Sequence, residues 1–158
     1  MANVILVNGD LLSTPINIIA HQVNCMSVMG AGLALQIKNK FEWVYQDYCE
    51  SLHRNGADYM FGKSQITIGE EHTIFNIFGQ YGYGHDKQYT DYDKFKSAFV
   101  DAITSYRHYL HIENEVQLTI AIPYMIGCGL AGGAWSEIKT ILEEIEKEYN
   151  VVFIAYKL

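Results

Sequence analysis

The sequence predicts an α/β fold of three layers, with helices on both faces of a central mixed, mostly parallel sheet. Three observations carry this. Short Ile- and Val-rich runs alternate with segments of helical period along the chain. One pair of runs sits close enough to form a hairpin, which makes the sheet mixed. Two strand-to-helix junctions, "MGAG" (29–32) and "GCGLAGG" (127–133), are rich in glycine, and in open α/β sheets ligands bind beyond the carboxyl ends of strands.

Each element follows from local pattern. "NVILVNG" (3–9) and "INIIAHQVN" (16–24) are short, β-branched runs that predict strands. "GAGLALQIKNKF" (30–41) begins a helix, with Leu33, Ile37 and Phe41 on one face. "EWVYQDYCESLHRN" (42–55) repeats apolar side chains at helical spacing, and Gly56 supplies a stop. "SQITIGE" (64–70) and "HTIFNIFG" (72–79) form the hairpin. After the polar, Tyr- and Gly-rich segment "QYGYGHDKQYT" (80–90), residues 91–110 predict a helix with Phe95, Phe99, Ala102, Ile103 and Tyr106 along one side. A strand (117–122), the second glycine loop, a helix (136–149) with Ile138, Ile141, Leu142 and Ile145 as its apolar stripe, and a last strand (151–156) complete the reading.

Composition narrows the function. The 158 residues suit one domain, 1–158, and a hydrophobic share of 49% is too high for disorder. No apolar run approaches the roughly 20 residues that span a bilayer, and "MANVILVNGD" carries no basic start or cleavage site, so neither membrane nor leader is expected. Three widely spaced cysteines fit neither a disulfide framework nor a zinc site, and no histidine spacing resembles a metal motif. The expected setting is therefore reducing and cytoplasmic, the host cytoplasm for a viral chain, with no metal. The formal charge is −7 with only 11 Lys and Arg, so no strong basic nucleic-acid surface is expected. A phosphorylated ligand must then be held by backbone N–H groups and helix dipoles between the two helix starts. Gly127-x-Gly129-x-x-Gly132 matches a dinucleotide fingerprint literally, but position 152, where an acidic residue belongs, is a valine inside an apolar strand. The loop at Gly30 lacks GxxxxGK[ST] and is no P-loop.

"VNGDLL", "AHQVNCMSVMGAGLAL" and "IPYMIGCGLAGGAW", in this order, resemble the macrodomain, an ADP-ribose-binding fold. The resemblance is to the branch of ADP-ribosyl-glutamate hydrolases and ADP-ribose-1''-phosphate phosphatases, especially short viral and bacterial members. It implies that Asp10, after Gly9, accepts a hydrogen bond from the adenine amine, beside the Leu11 amide. Asn24 meets the distal ribose. Gly30, Ala31, Gly32 and Leu33 form the first phosphate loop. Met125, Ile126, Gly127, Cys128, Gly129, Leu130, Ala131 and Gly132 form the second. Tyr156 covers the adenine, a stacking contact on the order of 1–3 kcal/mol, and Leu158 closes that pocket. ADP-ribose is thus ligand or substrate, an ADP-ribosylated molecule the partner, no other cofactor is implied, and a monomer is expected.

For turnover the sequence departs from its family. The glutamate-linked hydrolase type has a lysine where this chain has Gln80 and an aspartate where it has Ala131; short relatives have an aspartate where it has Ala134. An amide is no nucleophile, so a lysine adduct is excluded at position 80. An aspartate at 134 would either cap the last helix or orient a water. His21, beside the distal ribose by resemblance, is the candidate base, and Asp91 a second candidate. Cys128, among backbone donors, is expected to have a lowered pKa. The segment 80–90 is expected to cover the distal ribose and to set the leaving group. These residues imply hydrolysis of an ADP-ribosyl bond or of ADP-ribose-1''-phosphate. The alternative is a silent ADP-ribose reader or a protein that sequesters a nucleotide signal.

Overall fold

The computed structural model describes residues 3–158. Its strands are β1 (Ile5–Asn8), β2 (Ile18–Gln22), β3 (Ser64–Ile68), β4 (Thr73–Ile77), β5 (Leu118–Pro123) and β6 (Val151–Lys157), in one sheet of order β1-β6-β5-β2-β4-β3. Every neighbouring pair is parallel except β3 with β4. The mixed, mostly parallel sheet is therefore as expected, and the hairpin supplies its one antiparallel pair. Strands β1 to β4 are each shorter than the apolar run that predicted them at one end or both, because pairing stops where the chain turns toward a loop. β5 is shifted by one residue, to Leu118–Pro123, and the last strand reaches a residue further, to Lys157.

Helices α1 (Gly32–Lys40), α2 (Glu42–Asn55) and α3 (Ala57–Met60) cover one face; α4 (Tyr92–Leu110) and α5 (Trp135–Tyr149) cover the other. The period-2 alternation of the strands sorts the core. Ile74 and Phe78 pack with Ile37, Val44 and Tyr48, whereas Phe75 and Ile77 pack with Phe95, Phe99 and Leu142. All of β4 and most of β2 are buried on both faces, as central parallel strands require. Two short elements were not anticipated, a 3₁₀ turn at Leu11–Ser13 and α3.

Helix ends are set by specific groups. Gly56, at φ +87°, stops α2 where expected. Asp91 is the N-cap of α4, its carboxylate accepting from Lys94 N–H at 3.0 Å. At the other end, the buried Arg107 guanidinium donates to the carbonyls of Glu113, Val116, Tyr149 and Asn150 at 2.6–3.2 Å. One planar fork thus satisfies carbonyls at the C-terminal end of α5 and in the loop that follows α4.

Beyond the carboxyl ends of the strands lie the segments that follow β2 and β5. Those two strands are direct neighbours, with Ile18 opposite Ile120 and Ile19 opposite Ala121. Two glycine loops far apart in sequence therefore emerge side by side.

Candidate functional site

Both loops line one cleft of about 710 Å³. Its walls are Gly30–Ala34 at the start of α1 and, after β5, Met125, Ile126, Gly127, Gly129, Leu130 and Ala131. Its floor and far end are His21, Gln22, Asn24 and Gln80, and Tyr83, Gly84 and His85 of the 80–90 strap close one side. None of the lining residues is Lys, Arg, Asp or Glu. The polar character of the cleft comes from backbone, amides and imidazoles. Ala31 caps α1 without a side-chain hydrogen bond, so the positive end of that helix meets the cleft undiluted.

The glycines of "IGCGLAGGAW" have different causes. Gly127 sits at φ +74°, and a Cβ there would lie 3.3 Å from Gln22 Oε1 and Thr90 Oγ1. A Cβ on Gly133 would lie 2.6 Å from the carbonyl oxygen of Gly127. Gly132, at φ +78°, has the strap backbone at Gln88 within 3.1 Å of a Cβ position. These three are required by the fold. At Gly129 a Cβ would meet nothing within 4 Å, and at Gly30 only the Val28 side chain at 3.5 Å. Both line the cleft, and the protein itself gives no reason for either to lack a side chain. Between them, Met125 is held at φ +60°, a conformation that costs a non-glycine residue about 1–2 kcal/mol.

The strap is docked on the second loop. Tyr89 and Thr90 N–H both donate to the Ala131 carbonyl, at 2.7 and 3.1 Å, and the Thr90 hydroxyl donates to the Gly127 carbonyl at 2.6 Å. Gln22 Nε2 donates to Thr90 Oγ1 and to Gln80 Oε1, while Gln80 Nε2 donates to the Gly82 carbonyl. Gln80 is thereby spent on holding the strap. Gln22 was not anticipated as a lining residue, whereas Tyr83 and His85 belong to the segment 80–90 that was expected to lie over this end of the cleft. Gln22 was detectable as a polar residue closing an apolar run, the strap residues only as part of a long loop.

His21 is buried, and its Nε2 is 2.6 Å from Asn76 Oδ1. Burial brings its pKa down to about 4, the Asn76 hydrogen bond opposing the shift. The ring is neutral near pH 7 and is a hydrogen-bond acceptor before it is a strong base. Asn24 borders the cleft but its side chain pins its own loop: Oδ1 accepts from Met26 N–H and Tyr48 O–H, and Nδ2 donates to the Val28 carbonyl.

Other anticipated residues lie elsewhere. Asp91 does not reach the cleft; it borders a separate cavity of about 630 Å³ with Phe61 and Tyr81, its carboxylate committed to the cap of α4. Cys128 is not a lining residue, and burial raises its thiol to about 11, the reverse of the lowering expected there. Gly132, too, is outside the lining, turned toward the strap. The start of α5 is also turned away: the N–H of its exposed N-cap, Ala134, donates to Tyr92 Oη at 2.9 Å. The cleft is thus bounded by one helix start and one loop, not by two helix starts. Ala134, in extended conformation without a capping side chain, is a place for a cap. Ala134→Asp is expected to raise stability by about 1 kcal/mol in denaturant unfolding, with no gain of turnover.

Gly9, Asp10, Leu11, Tyr156 and Leu158 lie together beyond the cleft lining, at the β1–β6 side. Asp10 caps the 3₁₀ turn through Leu12 N–H, Leu11 is buried in the core, and Tyr156 Oη pairs with Thr14 Oγ1 at 2.6 Å. A Cβ on Gly9 would touch the Tyr156 ring at 3.7 Å, and Leu158 is almost fully exposed. Among the described residues no group of three or more His, Cys, Asp or Glu is placed to hold a metal, and no helix is long and apolar enough to cross a membrane.

The cleft lies at the carboxyl ends of neighbouring parallel strands and is lined without lysine, arginine, aspartate or glutamate. The family profile of the Macro domain matches residues 20–142, and the chain belongs to that family. It is 27% identical over 140 residues to the DNA ADP-ribosyl glycohydrolase of Thermus aquaticus, an alignment covering 87% of this chain and 36% of that protein. The chain thus spans about a third of that relative's length. Among solved structures it resembles the macrodomain of Thermus aquaticus DarG (TM-score 0.74, 24% identity, 96% and 97% of the two chains). It also resembles the macrodomain of Mycobacterium tuberculosis DarG (TM-score 0.77, 21% identity, 100% and 99%). A third likeness is to Thermosipho africanus DarTG in complex with ADP-ribose (TM-score 0.73, 19% identity, 96% and 41%).

Proposed function

We propose that this macrodomain binds ADP-ribose along the strand ends and hydrolyses the bond that joins it to an acceptor. The observation that carries the binding is the pair Gly30 and Gly129. Both line the cleft, one from each loop, and the fold does not need them to be glycine. A ligand backed against main-chain N–H groups does need it, and a pyrophosphate fits a wall of amides and one helix start without a lysine.

The sheet order supports one direction for the ligand. Asp10 and Tyr156 stand over β1 and β6, the glycine loops over β5 and β2, and His21 and Gln80 over β2 and β4. With adenine at the first position and pyrophosphate at the second, the distal ribose reaches the third, under the strap. There the reaction is attack of water on the anomeric carbon with departure of the acceptor. The chain contributes orientation by neutral groups, His21 and the Gln80 cluster, and exclusion of bulk water by Tyr83 and His85. The name of the Thermus aquaticus relative, a DNA ADP-ribosyl glycohydrolase, supports a hydrolase.

A reader without turnover is the second reading, favoured by one specific observation: no carboxylate or amine lines the cleft. The two readings separate in one assay, release of ADP-ribose from ADP-ribosylated DNA, from carboxylate-linked peptide and from ADP-ribose-1''-phosphate. Release from any of them that is lost in Gly129→Val establishes the hydrolase. Binding with no release from all three establishes the reader.

A further inference from the structure

A line of hydrogen bonds runs from the cleft floor to helix α2, and its direction is fixed. Thr67 Oγ1 donates to Asp47 Oδ2 at 2.8 Å, because a carboxylate only accepts. The hydroxyl proton being used there, Thr67 Oγ1 accepts from Gln65 Nε2 at 3.0 Å. That turns Gln65 Oε1 to accept from Asn76 Nδ2 at 2.7 Å, which in turn leaves Asn76 Oδ1 facing His21 Nε2 at 2.6 Å. Each amide meets one neighbour with its oxygen and the other with its nitrogen, so neither can be reversed alone. Asn76, Thr67 and His21 are all buried, so no water competes along the inner part of the line.

We propose that Asp47 is a positioning residue for the cleft: acting through Thr67, Gln65 and Asn76, it fixes His21 as the Nε2-protonated neutral tautomer, whose bare Nδ1 accepts from a hydroxyl of the distal ribose. His21 borders the cleft, and its Nδ1 finds no partner among the described residues. The last donor in the line is therefore supplied by the ligand. The inference rests on the reading above for the identity of that hydroxyl, whereas the tautomer belongs to the protein alone.

The feature selects for a ligand that donates at this point. ADP, which ends at the pyrophosphate, makes no use of it, and ADP-ribose does. Asp47→Ala breaks the direction, since it removes the acceptor and leaves the Thr67 proton free to turn toward Gln65 Oε1. Thr67→Val cuts the line at a different place with a residue suited to a strand.

The test combines nitrogen NMR of the His21 ring with calorimetric titration of ADP-ribose and of ADP. In the wild type, Nε2 is expected to carry the proton and Nδ1 to respond to ADP-ribose but not to ADP. In both variants, a mixed tautomer is expected, with a loss of ADP-ribose affinity on the order of tenfold, about 1.4 kcal/mol, and unchanged ADP affinity. A wild-type ring protonated at Nδ1, or variants with wild-type tautomer and affinity, overturns the proposal. Equal losses for ADP and ADP-ribose also overturn it, since that marks general damage to the fold. A wild type that shows the expected tautomer but binds neither nucleotide overturns the ADP-ribose reading instead and, with it, the ligand half of the inference.

Discussion

Gly129→Val is expected to lower ADP-ribose affinity on the order of a hundredfold, about 2.8 kcal/mol, while leaving the unfolding free energy within about 0.5 kcal/mol of the parent. The asymmetry follows from where the new side chain goes. A Cβ at Gly129 meets nothing within 4 Å, and the residue lines the cleft. The valine therefore occupies ligand space and no protein space. Gly133→Ala makes the contrast. Its Cβ would be 2.6 Å from the Gly127 carbonyl oxygen, a backbone atom that also accepts from Thr90 Oγ1 and Gly133 N–H. That change should cost stability and affinity together. Urea unfolding and calorimetry on the two variants separate a glycine kept for a ligand from one kept for the fold. Wild-type affinity in Gly129→Val would remove the main support for the binding site.

Acidification should destabilise the protein through His21, by about 3 kcal/mol between pH 6.5 and 4. The sign follows from proton binding. The folded imidazole titrates near 4, because it is buried, and the unfolded one near 6.5. Between those values the unfolded chain holds the extra proton, so stability rises with pH through this window. It is fully present above 6.5 and is lost as pH falls toward 4. Glu146 acts in the opposite sense, since burial raises its carboxyl and the Phe153 N–H bond only partly offsets that. The difference between wild type and His21→Asn isolates the imidazole, because the second protein keeps every other group. Parallel stability–pH curves for the two would show that His21 is not held neutral by the fold.

The architecture was legible because local pattern and tertiary demand agree. Helix α2 runs from Glu42 to Asn55 as its spacing and Gly56 predict, and the hairpin falls at β3 and β4. The two loops at one cleft were legible too, since both follow strands at the end where open α/β sheets bind ligands. What was not legible depends on contacts across long separations. Nothing in "GCGLAGG" tells that Gly127 and Gly133 serve the loop itself, Gly132 the strap, and Gly129 neither. Helix α3 is only four residues long and has no period to read. Asp91 carries a helix-cap signature and a candidate-acid signature at once, and only the cap is realised. Cys128 was misjudged because sequence shows the backbone donors around a thiol but not the apolar packing against it. The line from Asp47 to His21 joins residues 21, 47, 65, 67 and 76, which no motif connects.

The central claim is that main-chain amides of two glycine loops, with no lysine or arginine, hold a pyrophosphate. A crystal structure with ADP-ribose tests this most directly. The account predicts phosphate oxygens within hydrogen-bonding distance of N–H groups in both Gly30–Leu33 and Met125–Ala131, with the distal ribose toward His21. Phosphates held by basic side chains, or a nucleotide seated outside that cleft, would contradict it.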